Sequence, residues 1–317
     1  MAISSYAEVQ GVAVMAKRPK PVPQMTTAQF EARFPIGDDE ACFRYLIARR
    51  WPEGVACPRC GNVDLYDASS YKPFHWQCRA CAAQGYRFSC LSGTIFENTK
   101  KPLRDWFRVA HLMLASKKGM SALQIQRMLG FGSYETAHSM CHKIRAALID
   151  PALKLGGIVE IDETYVGGKD KNRHWGKRHH GKTGPQATGK TAIIGAIERK
   201  GNVVARVLNH VNAKNAMSFV REVVSDKVSL LATDDYQIYD GLIEYPRQTV
   251  KHHAKQYVVG AVHTNTIEGF WSIFKRGVVG TFHKMSAKYM PLYVAEFQFR
   301  YNNRFNPNMF ETAIAGC

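Results

Sequence analysis

The 317-residue sequence contains no run of 18 apolar residues, so no membrane-spanning helix is expected. Its N-terminus lacks the charged start and apolar core of a secretory signal, and a soluble, intracellular chain is the expectation. No internal repeat recurs along it. Eight cysteines are few for a disulfide framework in a chain this long, and four of them form two C-x-x-C pairs, which in a reducing compartment points to metal. Acidic residues are also scarce: 26 Asp and Glu stand against 43 Lys and Arg, a formal net charge of +17. Such a surface repels itself unless something acidic is bound, and nucleic acid is the expected partner. The 45% of hydrophobic residues is too much for a disordered tail or a disulfide-stapled mini-protein, and the length suggests two domains with real cores.

Residues 1–25 show no periodicity and end in a Lys/Pro-rich stretch, the composition of an extended, disordered tail. A helical stretch is expected from Thr26-Thr27 through Phe30, Phe34, Cys42, Phe43, Leu46 and Ile47 to a stop at Trp51-Pro52. From Pro102 the pattern reads as three helices. The first carries Leu103, Trp106, Phe107, Ala110 and Leu114 at helical spacing. The second starts at a capping-box-like Ser121-Ala-Leu-Gln124 and stops at Gly130, and Ser133 caps the third, through Met140, Ile144 and Leu148. The last two, joined by a short Gly-containing turn, suggest a helix-turn-helix as readily as plain three-helix packing.

After Pro151 the period changes. Strands are expected at 158–161, 191–197, 203–208 and 230–233, a hairpin at Gly201-Asn202, and helices at about 213–224, from Thr266 and from Lys288. This order describes an α/β domain with a mixed sheet. The divisions are thus a tail (1–25), an N-terminal helix with the cysteine pairs (26–98), a helical DNA-binding region (99–150) and the α/β domain (151–317), with a basic insertion at 169–190.

Cys57-x-x-Cys60 and Cys78-x-x-Cys81 match the spacing of a four-thiolate zinc site, and Pro58 and Gly61 favour the sharp turn that aims both sulfurs inward. Four thiolates leave no open position, so the expected Zn2+ is structural. Cys42, Cys90, Cys141 and Cys317 lack that spacing and are expected to be free, mostly buried thiols. Asp162 and Asp234 each follow a short apolar strand, and Glu268 lies one turn into a helix after Asn265. Carboxylates at strand ends of an open α/β sheet can share a hard cation, Mg2+ or Mn2+, and two such ions support displacement at a phosphodiester. Each acid could equally be a turn residue or a cap, and Glu160, Glu163 and Asp235 are alternative ligands that spacing alone does not separate. The stretch 167–190 is dense in Lys, Arg, His and Gly, as suits a flexible loop contacting phosphate through Lys169, Lys171, Arg173, Lys177, Arg178 and Lys182. The histidines there and at His252-His253 lack accompanying carboxylates and are not expected to bind metal.

The strings Val159-Glu-Ile-Asp162-Glu-Thr-Tyr-Val-Gly-Gly168, Thr233-Asp234, His263-Thr-Asn-Thr-Ile-Glu268-Gly-Phe-Trp271 and Glu296-Phe-x-Phe-Arg-Tyr-Asn-x-Arg304 resemble bacterial insertion-sequence transposases with an N-terminal zinc ribbon and a DDE core, a group related to the Merlin elements. The resemblance runs from about Phe30 to the C-terminus. It implies an RNase H-like core in which Asp162, Asp234 and Glu268 form the catalytic triad, with Asp235 where the group commonly has another acid. It also implies a ribbon built on the four paired cysteines. The function it implies is binding of terminal inverted repeats and Mg-dependent cleavage and strand transfer, in the cytoplasm and on nucleoid DNA, by a homodimer or larger synaptic assembly. Lys275 and Arg276 would neutralise phosphates near the scissile bond. Gln124, Arg127, His138, Lys143 and Arg145 are candidates in the helical region, with Lys143 and Arg145 expected at DNA. The alternatives are a zinc-ribbon DNA-binding regulator and an RNase H-like nuclease without strand transfer.

Overall fold

The computed structural model describes residues 24–81, 85–150, 153–168, 170–178, 189–234, 237–250 and 263–317. The expected tail, apart from Gln24 and Met25, therefore lies outside the described residues, as do Lys169, Lys182, Asp235 and His252-His253.

Two helices open the described residues where one stretch was expected, α1 (Thr27–Arg33) and α2 (Asp39–Arg50). Pro35 removes a backbone donor and Gly37 adopts φ +86, so the helix cannot run through. Thr26 and Gln29 form a reciprocal capping box at the start of α1. Next comes a three-stranded antiparallel sheet, β1 (Leu65–Asp67), β2 (His75–Cys78) and β3 (Tyr86–Ser89).

The three expected helices follow as α3 (Leu103–Ala115), α4 (Ala122–Leu129) and α5 (Tyr134–Ala147). Ser121 and Ser133 accept from the backbone N–H groups of Gln124 and Glu135, and Gly130 closes α4 in the left-handed region. The N-terminus of α3 is capped from a distance: Leu103 and Arg104 N–H donate to the Asp39 carboxylate at 3.2 and 2.8 Å. One core joins these helices to α1, α2 and the last helix, α9 (Met309–Ala315), through Phe30, Phe34, Phe107, Ile144 and Phe310. Chain order and packing diverge here, because the C-terminus returns to the N-terminal helices.

The remaining elements build a five-stranded mixed sheet. Its strands are β4 (Leu155–Val166), β5 (Thr191–Glu198), β6 (Val203–Leu208), β7 (Val224–Asp234) and β8 (Arg247–Val250), in the order β6-β5-β4-β7-β8. The first three are antiparallel, while β7 and β8 run parallel to β4. This is the RNase H-like arrangement. The helix α6 (Ala213–Val223) packs on one face over Val159, Ile161 and Leu231. The opposite face is covered by α7 (Asn265–Gly277), which runs on into one π turn through Phe282, and by α8 (Met290–Asn302), over Ile193, Ile197 and Val203. The edge strand β6 does not expose its outer backbone: Ala205 and Val203 N–H donate to Gln298 Oε1 and Asn302 Oδ1 of α8 at 2.9 and 2.8 Å.

Candidate active site and metal centres

Local turn chemistry builds the cysteine cluster. Gly61 N–H donates to Cys57 O at 2.8 Å, and Gly61 at φ +74 makes the sharp bend that brings Cys60 back beside Cys57. The Sγ atoms of Cys57 and Cys81 and those of Cys60 and Cys78 lie 3.6 Å apart, and Cys81 and Cys60 3.2 Å apart. A tetrahedron of Zn–S bonds of about 2.3 Å has edges of about 3.8 Å, so these four sulfurs fit zinc with small adjustments. The remaining thiols are free, as expected; burial pushes Cys42, Cys141 and Cys317 up to about 12 and Cys90 to about 11.

The carboxylates meet where the parallel ladder ends. Asp162 lies within β4 rather than after it: pairing with β7 runs to Glu160–Ala232, while pairing with β5 continues to Val166. Asp234 is the last residue of β7. Ligand oxygens of Asp162, Glu163 and Asp234 all lie within 4.8 Å of one another. Burial and then the Asp234 and Glu268 charges raise the Asp162 carboxyl to about 6. Burial raises Glu163 to about 7, with the Asp234 and Asp162 charges adding to it, although the buried Tyr239 hydroxyl donates to its Oε1. Three oxygen donors that repel one another in a half-buried pocket are a hard-cation donor set.

Glu268 sits exposed in the first turn of α7 and lines the same cleft of about 540 Å3, together with Asp162, Glu163, Thr164, Lys275 and Arg276. Its carboxylate is not within the tight group, and Thr264 Oγ1 donates to it at 3.2 Å. The structure thus draws Asp162 and Asp234 together as a pair, puts Glu163 beside them, and sets Glu268 at the cleft wall. Tyr239, which the sequence reasoning missed, carries no local motif; its role comes from a contact across 76 positions.

Glu160 has a different task. Fully buried, it pairs with Arg199 Nε at 2.8 Å and accepts from Thr266 and Ile267 N–H at 2.8 and 3.1 Å. It caps α7 from a distant strand and so positions Glu268.

The basic candidates divide. Lys171, Lys177 and Arg178 are exposed on the described part of the insertion, Arg173 is half-buried there, and Lys275, Arg276, Lys143, Gln124 and Arg127 are exposed on their helices. His138 is half-buried against His142. Arg145 corrects the expectation of a DNA contact: it is 1% exposed, donates to Glu296 Oε2 at 2.6 Å and lies over the Tyr293 ring. The reason is helical spacing, since Arg145 shares the inward face of α5 with Ala137 and Cys141. Lys143 points away from that face.

The fold and these two sites define a class, RNase H-like proteins that carry a zinc ribbon. Within it, the ISXO2-like transposase domain matches residues 154–302 and the transposase zinc-ribbon domain matches residues 37–84. A Halobacterium salinarum protein described as an uncharacterized protein in transposable element ISH50 is 30% identical over 246 residues, covering 73% of this chain and 80% of that relative. The chain belongs to the zinc-ribbon insertion-sequence transposases of the DDE type. Among the described residues, no helix is long and apolar enough to cross a membrane.

Proposed function

We propose that the protein binds the terminal inverted repeats of its own insertion sequence, cuts the DNA there and joins the freed 3′-hydroxyls to target DNA. The meeting of Asp162, Glu163 and Asp234 at the end of the β4–β7 ladder, below a cleft lined by Glu268, Lys275 and Arg276, carries this reading. Asp162, Asp234 and Glu268 would hold Mg2+ or Mn2+, with Glu163 within reach as a further ligand. Such ions, when bound, activate the attacking oxygen and stabilise the leaving oxygen of an in-line displacement at phosphorus. Each joining step makes one P–O bond and breaks another, so no covalent protein intermediate is needed.

The chain's own groups supply position. Glu160 fixes the start of α7, and Lys275 and Arg276, both about three turns on, meet the phosphates flanking the reacting bond. The zinc ribbon, the α4–α5 unit and the exposed cations Lys143, Lys171, Lys177 and Arg178 hold the DNA, with Arg173 at the base of the loop. Two ends must be cut together, which calls for a dimer or larger assembly on DNA in the cytoplasm.

The test is incubation of the protein with a labelled duplex bearing its element's end and a supercoiled target, with Mg2+ and with a chelator. Wild type cleaves and joins only with Mg2+, and Asp162→Asn, Asp234→Asn and Glu268→Gln each lose both products. Binding without strand chemistry would overturn the reading in favour of a regulator, and cleavage without joining in favour of a nuclease.

A further inference from the structure

We propose that Val279 is a wedge that unstacks one base step of the DNA held in the catalytic cleft; this rests on the DNA-processing reading above. Glu268, Ser272, Lys275 and Val279 follow one another at spacings of four, three and four residues, so they form one stripe along α7, and all four are exposed and line the cleft. The opposite face, with Ile267, Phe270 and Phe274, is buried against the sheet. Along the stripe the carboxylate suits a cation, the serine is small enough for close approach and the lysine suits a phosphate. Val279, 73% exposed, suits none of these. A single exposed apolar side chain is ordinary on a protein surface, and two further observations set this one apart.

The first is how it is held. Val278–Phe282 form the π turn that ends α7, and both ends of that turn are pinned. At Gly277 a Cβ would come 2.4 Å from the Phe297 ring and 3.0 Å from Lys118 O, so the backbone there lies directly against α8. At the other end the Phe282 ring packs 4.8 Å from that of Tyr293, and His283 leaves the turn at φ +57, a value that residues with a side chain rarely adopt. Between these anchors Val279 and Gly280 are exposed, with open space beside Gly280. Valine, branched at Cβ, has little rotamer freedom to lose, so a side chain presented in this way binds at a small entropic cost.

The second is charge and place. Lys275, Arg276 and Lys284 are exposed on either side of Val279 in sequence, so a phosphate backbone is drawn to the turn. Val279 follows Glu268 by 11 residues of continuous helix, the last two in the π turn, which is about 16 Å, or about five base-pair steps at 3.4 Å each. A duplex that lies along the stripe with its reacting phosphate at the carboxylates therefore passes Val279 within about half a helical turn. An apolar side chain gains nothing from phosphate. The apolar surfaces that DNA offers are the faces of its bases, which are uncovered when a side chain enters between two pairs and kinks the duplex.

The test places 2-aminopurine, whose emission rises when it is unstacked, at each step in turn on both sides of the element's end, in a duplex bound by the full chain without added Mg2+ so that no strand chemistry intervenes. For wild type we expect the emission to rise at one step, about five from the cut. Val279→Ala should lower the unstacked fraction there about tenfold, the worth of burying the two methyl groups it lacks. Val279→Leu should keep the rise. With Mg2+, Val279→Ala should cut the paired duplex about tenfold more slowly and recover on a duplex mispaired at that step, where unstacking costs less. An unchanged rise in Val279→Ala, or no unstacked step in DNA bound by wild type, would overturn the proposal. Equal binding of the element's end and of a scrambled duplex by wild type would instead overturn the DNA-processing reading on which it rests.

Discussion

Replacing Asp162 by Asn should make the metal-free protein more stable. The Asp162 carboxyl is raised from 3.8 to about 6 by burial and by the Asp234 and Glu268 charges, so its ionised form is disfavoured in the folded state. At neutral pH this corresponds to about 2–3 kcal/mol. Asn keeps the shape and keeps an oxygen to accept the Glu163 N–H bond, which spans 2.8 Å. It removes the charge alone. The sign with pH follows from the folded value lying above the unfolded one. The folded state holds an extra proton between about pH 4 and 6, and wild-type stability falls as pH rises through that window. The measurement is thermal unfolding without divalent ions at several pH values. At about pH 7.5 the α/β core of Asp162→Asn should melt roughly 5–10 °C above wild type, and the difference should shrink towards pH 4. Added Mg2+ should raise the wild-type midpoint and close the gap. A variant that melts at or below wild type at neutral pH, or a gap that grows on acidification, would refute the reasoning.

Other perturbations follow from the same geometry. Cys60→Ser, or zinc removal by a strong chelator, should unfold the ribbon and leave the two larger cores intact, because the ribbon's own core consists of little more than Cys57, Cys78, Phe88 and their aromatic neighbours; limited proteolysis should cut within 55–90 and nowhere in the α/β core. Glu296→Gln removes the one buried anion between Arg145 and Arg300 and should cost about 3–5 kcal/mol, read as a lowered midpoint in thermal or urea unfolding. Gly195→Ala should cost about 1–3 kcal/mol and impair strand cleavage, because the new Cβ would lie 2.6 Å from the Trp271 ring and press α7, with Glu268, off the sheet opposite Asp162. Unfolding and cleavage assays on that variant should both show the loss.

The parts of the fold that repeat a local rule were visible in the sequence. The cysteine spacing, the serine caps of α4 and α5 and the apolar strands at β4, β5, β6 and β7 all depend on neighbours a few positions away. What the sequence hid depends on distant partners. The strand β8 is a four-residue segment, Arg-Gln-Thr-Val, with no apolar alternation; it is a strand because β7 offers a parallel edge. Asp162 lies inside a strand because β5 extends the pairing past the end of β7, which apolar patterning alone does not show. Asp39 and Glu160 cap helices 64 and 106 positions away, so neither helix start shows its cap locally. Among the neighbouring acids, only the third dimension separates Glu160, turned to α7, from Glu163, turned to Asp162 and Asp234. Arg145 is the opposite case: its inward face could be read from the i, i+4, i+8 spacing with Ala137 and Cys141, but its charge suggested the surface.

Asp162, Asp234 and Glu268 come from three separate chain segments that must meet at the same divalent-cation centre. Fe2+ can replace Mg2+ at oxygen-ligand sites and, with ascorbate and peroxide, generates radicals that cut the nearest backbone. Fragments should come from cuts near Asp162, Asp234 and Glu268, suppressed by excess Mg2+ and absent in Asp162→Asn. Cuts elsewhere, or a cutting pattern unchanged in Asp162→Asn, would contradict a shared centre.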